Sequence, residues 1–317
     1  MTTVANVLRK REISLILFIL FFLLIMLCVT PRFLQPSNLM NILLNISTVG
    51  ILAMGQCAVI ITKGIDLSVG ANMGLVTLVV GSLLLHGLGT GLSVLVGVLT
   101  GIACGALNAV LISALRLPPI IVTLGTLSLF SGLMYMVTNG QWVQNLPSSF
   151  LALGNWKMLG IPGPVIVLLV VLAVLSVFME KTLLGRHIYA IGNNMNAAKL
   201  AGLSPNRTIV MPYLVAGFLA GLSGILYLSY NGFSTPTTGA DLNLESIAAA
   251  VIGGTNVFGG RGTALGAVLG AVLLGVITEA LVFFHLPAVW NDAVEGLIIL
   301  IAVIADSGLQ RTRGIAG

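Results

Sequence analysis

From Ile13 to Val29 the chain runs without one charged side chain, and comparable apolar runs recur toward its C-terminus. Each approaches the roughly 20 apolar residues that a helix needs to cross a hydrocarbon core of about 30 Å. In lipid every backbone N–H and C=O must be satisfied internally, which leaves helices or closed barrels. The runs are continuous rather than alternating, so barrel strands are excluded. Only 7% of the 317 residues are charged and 57% are hydrophobic. A soluble domain carries roughly 25% charged residues, so a soluble globular enzyme and a disordered chain are both excluded. The net charge of +5 rests on 14 scattered basic residues. They are too sparse for a phosphate-binding stripe, and nucleic acid is not an expected partner.

Hydropathy places about ten spans, at 13–29, 41–62, 67–85, 92–115, 120–137, 164–179, 209–230, 244–258, 264–284 and 291–305. The third and eighth are rich in small residues and follow irregular polar stretches. Arg9, Lys10 and Arg11 precede the first run, and Thr30-Pro31-Arg32 follows it with no small-residue cleavage site. An uncleaved first span is therefore expected. With the N-terminus inside, 12 basic residues fall on the cytoplasmic side and only Arg32 and Lys157 outside, which accounts for all 14. The positive-inside rule thus supports an even number of spans and both termini in the cytoplasm. Loop 138–163 then lies outside, and the polar, basic loop 181–208 inside. Cys28, Cys57 and Cys104 sit in apolar runs without metal or disulfide spacing, so they read as small hydrophobes.

The chain also repeats itself. Gly64-Ile65-Asp66-Leu67-Ser68 matches Gly239-Ala240-Asp241-Leu242-Asn243 at Gly, Asp and Leu. Each copy precedes a small-residue span and then a glycine ladder: Gly97, Gly101, Gly105 in one, Gly262, Gly266, Gly270 in the other. Glycines four apart line one helix face and admit a second backbone closely. The copies are five spans apart, so they point opposite ways across the membrane. An inverted repeat is expected, with halves near 41–138 and 209–306 in a single membrane domain covering 1–317.

Polar groups at membrane depth are costly and mark either a solute path or helix-to-helix contacts. Candidates for the path are Asp66, Ser68, Asn72, Asn108, Thr123, Asp241, Asn243 and Glu245, with Asn45, Gln56, Asn256 and Glu279 as further polar positions. Asp66 and Asp241 each precede a span, where a helix cap is the simpler reading. No phosphate-binding loop, nucleophile elbow or His-Glu-x-x-His motif occurs, and His86, His187 and His285 are far apart. Neither a catalytic constellation nor a metal site is expected.

Three ordered motifs carry a family resemblance: Ile60–Gly70, reading IITKGIDLSVG; Thr182–Asn194, reading TLLGRHIYAIGNN, continued by Ala197-Ala198-Lys199-Leu200-Ala201-Gly202; and Ile247–Thr255 with Gly259-Gly260-Arg261-Gly262. With them the chain resembles the membrane permease subunits of bacterial ribose-type sugar ABC importers. The resemblance runs from about Phe33 to Asp306. It implies an all-α polytopic membrane protein of the inner membrane that pairs with a second permease subunit, identical or paralogous. It also implies two cytoplasmic ATP-binding subunits, so that ATP is held by a partner and this chain carries no cofactor. A periplasmic sugar-binding protein would deliver solute. The segment holding Gly192, Asn193, Asn194, Ala197, Ala198, Lys199 and Gly202 would dock on the ATPase. Two places depart from the family pattern, Asn243-Leu244-Glu245 and Glu279. The expected function is translocation of a pentose, hexose or related polyol by alternating access. A stand-alone proton-coupled transporter using Asp66, Asp241 or Glu279 is the alternative.

Overall fold

The computed structural model describes residues 2–287 and scattered positions between 290 and 304. The tenth predicted span, 291–305, therefore lies largely outside the described residues. The described chain holds twelve α-helices, one 3-10 turn at Pro31–Leu34 and one two-stranded hairpin. Helix α1 is Thr2–Val29, α2 is Pro36–Ile61, α3 is Val69–Leu85, α4 is Thr90–Ser113 and α5 is Pro119–Thr138. A short helix α6, Ser148–Asn155, and the hairpin β1, Lys157–Met158, with β2, Ile161–Pro162, occupy the predicted 138–163 loop. Then come α7, Gly163–Lys181, α8, Leu183–Asn193, α9, Met195–Leu200, α10, Pro205–Asn231, α11, Leu242–Ile252, and α12, Ala264–Phe283.

Among the described residues, seven helices are long and apolar enough to cross a membrane: α1, α2, α4, α5, α7, α10 and α12. The two predicted spans at 67–85 and 244–258 are corrected. At 1.5 Å per residue, α3 with 17 residues reaches about 26 Å and α11 with 11 residues about 17 Å, both short of a bilayer core. Helix α11 stops at Ile252 because Gly253-Gly254 follows, Gly254 having φ +95°. The chain then turns through Asn256 and Gly259 before α12 begins.

Position in the bundle follows side-chain chemistry. Helix α2 is apolar all round and almost wholly buried, as expected of a core helix. It packs on α7, α10, α11 and α12. From Ile13 to Val29, α1 exposes most of its Leu, Ile and Phe side chains, and it leans on α12. The packing also comes in pairs. Helix α4 packs on α10, as α12 packs on α2. Helix α3 packs on α10, as α11 packs on α2. Helices α2 and α10 meet each other, as do α3 and α11.

The first glycine ladder does what its spacing predicts. A Cβ on Gly101 would lie 2.5 Å from the Gly217 carbonyl oxygen and 2.8 Å from Gly221 Cα. A Cβ on Gly217 would lie 2.9 Å from Gly105 Cα. The seam is therefore glycine against glycine, α4 on α10. The second ladder needs correction: Gly266 and Gly270 face Gly253 and Ala249 of the α11 end, but Gly262 lies before the helix, against Thr255 and Cys57. Thr263 caps α12 instead, its Oγ1 accepting the Gly266 N–H at 2.9 Å.

Gly101→Leu should open the α4–α10 seam, an overpacking cost of about 1–3 kcal/mol or more. Thermal unfolding in detergent should show a clear drop in Tm. Gly125→Ala, where nothing lies within 4 Å of the added Cβ, should leave Tm unchanged or slightly raised. Equal behaviour of the two variants would refute the seam.

Candidate functional site

The loop between α2 and α3 turns inside the bundle, and Asp66 organises it. Its Oδ1 accepts the Ser68 N–H at 2.8 Å and the Ser68 hydroxyl at 2.6 Å. Asn108 Nδ2 of α4 donates to Ser68 Oγ at 2.8 Å, and the Thr126 hydroxyl of α5 donates to Asn108 Oδ1 at 2.7 Å. Thr123 donates to the Ile65 carbonyl at 3.1 Å. Asp66, Ser68, Asn108 and Thr123 thus form one buried polar knot with Thr126, which the sequence did not single out. Asp66 steadies the loop and does not cap α3.

The α3 cap comes from far away. Asn243 Oδ1 accepts the Gly70 N–H at 2.8 Å and the Ala71 N–H at 3.3 Å. Its Nδ2 donates to the Ala240 carbonyl at 2.8 Å. Gly70 and Gly239 lie backbone to backbone, so the start of α3 meets the approach to α11 inside the protein. These are the two matching sequence motifs in contact. Glu245 is buried in the first turn of α11, where a carboxylate suits the helix dipole. Asp241 is exposed and caps nothing. Asn72 donates to the Gly101 carbonyl at 3.1 Å, a helix-to-helix contact away from the knot.

A second cluster forms at the Lys63 end of α2. Gly260 N–H donates to the Ile61 carbonyl at 2.9 Å. A Cβ on Gly259 would stand 3.0 Å from the Gly192 carbonyl oxygen, and one on Gly260 2.8 Å from Asn193 Cα. The Tyr189 hydroxyl of α8 donates to the Gly262 carbonyl at 2.8 Å. Burial pushes that hydroxyl's pKa up, with nearby Cys57 and Glu180 adding to the effect, so it stays a donor. Three backbones are clasped here: the end of α2, the end of α8 and the turn before α12. The clasp accounts for Gly192, Asn193 and Gly262.

Beyond the clasp, Asn194 caps α9, its Oδ1 accepting from Asn196 and Ala197 N–H at 3.0 Å each. Ala198 is buried. Helix α9 ends through Ala201, and Gly202 takes φ +83°, the left-handed stop the sequence suggests. Leu200 is 91% exposed at the tip, three residues before Leu203. Lys199 precedes it in the last turn of α9.

At the other end of α2 a cavity of about 300 Å³ opens between α2, α10 and α12. Its polar lining includes Asn41, Asn45, Thr48, Tyr227, Tyr230 and Glu279. Of these the sequence singled out only Asn45 and Glu279. The i, i+4, i+7 spacing of Asn41, Asn45 and Thr48 was available as a signal, but the partners on α10 and α12 were not.

Comparison with known proteins decides the family. Residues 38–303 match the family described as branched-chain amino acid transport system / permease component. The chain belongs to this permease family. The permease is 37% identical over 308 residues to the autoinducer 2 import system permease protein LsrC of Enterobacter sp. (strain 638), covering 96% of this chain and 89% of that one. It is 35% identical to the LsrC of Klebsiella pneumoniae over the same shares of each. With the LsrC of Yersinia enterocolitica it shares 39% identity over 82% of this chain and 72% of that one. No solved structure matches the permease. The names of the family and of these relatives cover amino acids and autoinducer 2, so membership fixes the role of a multi-pass transport component and leaves the solute open.

Asn243→Ala should leave two N–H groups of α3 unpaired inside the bundle. Losing a helix cap costs about 1 kcal/mol, and more where the donors stay buried. Thermal unfolding of the purified permease should register the loss, and Asn243→Asp should retain most of the stability. An unchanged Tm for Asn243→Ala would contradict the cap.

Proposed function

We propose that this permease forms half of the membrane pathway of an ATP-driven importer for a small, hydroxyl-rich solute of the sugar class. The observation that carries the reading is the clasp at the Lys63 end of α2. Helices α8 and α9 project from it with Leu200 exposed at the tip, while the clasped end of α2 leads into α3 and the clasped turn before α12 follows directly from α11. A rigid push on α9 would therefore reach both short helices. That is what a docked ATPase needs, and it has no use in a transporter that works alone.

The rest of the arrangement agrees with this reading. Paired packing of α4 on α10 and α12 on α2, and of α3 on α10 and α11 on α2, supports an inverted repeat about an axis through the α2–α10 contact. Broken helices that meet inside the bundle are a recurring feature of such repeats. Ten crossings, in which α3 and α11 are completed by the irregular chain leading into and out of them and 291–305 is the last, put both termini in the cytoplasm of the inner membrane and loop 138–163 outside. A second permease subunit completes the pore. Two ATP-binding subunits hold the ATP, which this chain does not bind. A periplasmic binding protein delivers the solute. Autoinducer 2, named for the relatives, is the first solute to test, with D-ribose as the second.

Leu200→Asp should leave the fold intact, because the side chain is 91% exposed, yet abolish ATP-driven uptake. Wild-type uptake in proteoliposomes should require ATP and survive a protonophore. Uptake that collapses with the protonophore and ignores Leu200→Asp would establish the proton-coupled alternative.

A further inference from the structure

Resting on the permease reading, we propose that the cavity between α2, α10 and α12 is the outward-facing binding site for a neutral, polyhydroxylated solute, and that the starts of α3 and α11 form its closed floor.

The lining matches hydroxyl chemistry. Side-chain amides at Asn41 and Asn45 each donate and accept, as does Thr48. A sugar hydroxyl also does both, so each pairing can be made without placing a charge in the membrane. Tyr227 and Tyr230 add phenol hydroxyls and flat apolar faces. The Glu279 carboxylate can accept hydrogen bonds from hydroxyls, and no ion pair engages it among the described residues. A carboxylate with no basic group in the lining disfavours an anionic solute. The volume lies at the small end of the roughly 300–1,000 Å³ typical of small-molecule sites.

Position adds a second, independent argument. Asn41, Asn45 and Thr48 lie on one stripe of α2, and Leu52 and Gln56 continue it at helical spacing. Leu52 joins Val69, Met73 and Ala220 in a buried apolar cluster, with Tyr227 and Leu242 packed against it. Val69 is the first residue of α3 and Leu242 the first of α11. One turn past Leu52, Gln56 is fully buried and neither amide atom has a partner among the described residues. A polar group left unpaired beneath an apolar floor marks the continuation of a path that is shut in this conformation. Asn45 stands 16 residues, about 24 Å, from the clasp at Ile61. Solute would thus enter at the end opposite the ATPase, and the clasp would reach the floor through α3 and α11.

The test uses the complete importer in proteoliposomes, with D-ribose and autoinducer 2 as probes. Asn45→Cys is labelled from the outer side with an anionic, membrane-impermeant thiol reagent, and the wild type receives the same treatment, since Cys57 and Cys104 are buried and Cys28 lies on α1. Labelling should cut uptake about tenfold or more while ATP hydrolysis changes little. Thr48→Val, close in size, should raise the half-saturating solute concentration by up to about tenfold, the range for one lost hydrogen bond. Labelled Asn45→Cys that transports at the wild-type rate, failure of Asn45→Cys to label from outside, or an unchanged Thr48→Val overturns the site alone. A wild-type importer that moves neither probe on ATP removes the proposed sugar-importer reading and the site together.

Discussion

Helix α3 begins inside the bundle, with its first turn buried. The four leading N–H groups of any helix lack partners within it, and in the membrane interior the shortfall must be met by the protein itself. Here one side chain meets much of it for α3. Asn243, the second residue of α11, accepts from Gly70 and Ala71 and anchors its own loop through Ala240. The two short helices are thereby tied to each other at their starts. Asp66, Ser68, Asn108 and Thr126 hold the neighbouring loop by a chain of short hydrogen bonds. A buried network of this kind is strong only if complete, which is why its members come from three separate elements.

Close packing sets the frame for that junction. Between lipid-soluble helices there is little hydrophobic drive to associate, so contact area and backbone approach decide. Glycines on α4 and α10 interlock at Gly101, Gly105, Gly217 and Gly221. At the other end of the molecule, Gly192, Gly259 and Gly260 permit three backbones to touch at the end of α2. The same device therefore builds a helix seam in one place and joins loop backbones in another. Between them α2 runs as a buried strut, with a polar cavity near its start and the clasp at its end.

Much of this was legible in the residues. Long apolar runs gave the membrane class, the ladder at Gly97, Gly101 and Gly105 a helix seam, and Gly202 the end of α9. The motifs around Asp66 and at 182–202 pointed to the permease family that the comparison establishes. Elsewhere hydropathy misled. It counted α3 and α11 as full spans, because apolar composition does not report where a helix stops, and Gly253-Gly254 stops α11 at Ile252. Gly262 was drawn into a ladder although the helix starts two residues later at Ala264. The cap reading of Asp66 failed for a related reason, since local spacing favours a neighbour while the donors found a side chain 173 residues away.

The sequence by itself determined that the chain must live in lipid as helices, where its backbones can approach, and which polar, basic segment interrupts the apolar runs. Those properties follow from hydrophobicity and side-chain size, which are local. Only the tertiary structure decided that Asn243 completes α3, that Gly192 meets Gly260, and that Asn45, Tyr227 and Glu279 share one cavity. Each of these joins residues far apart along the chain, and a hydrogen bond or a cavity wall depends on distance in space, which no local pattern encodes.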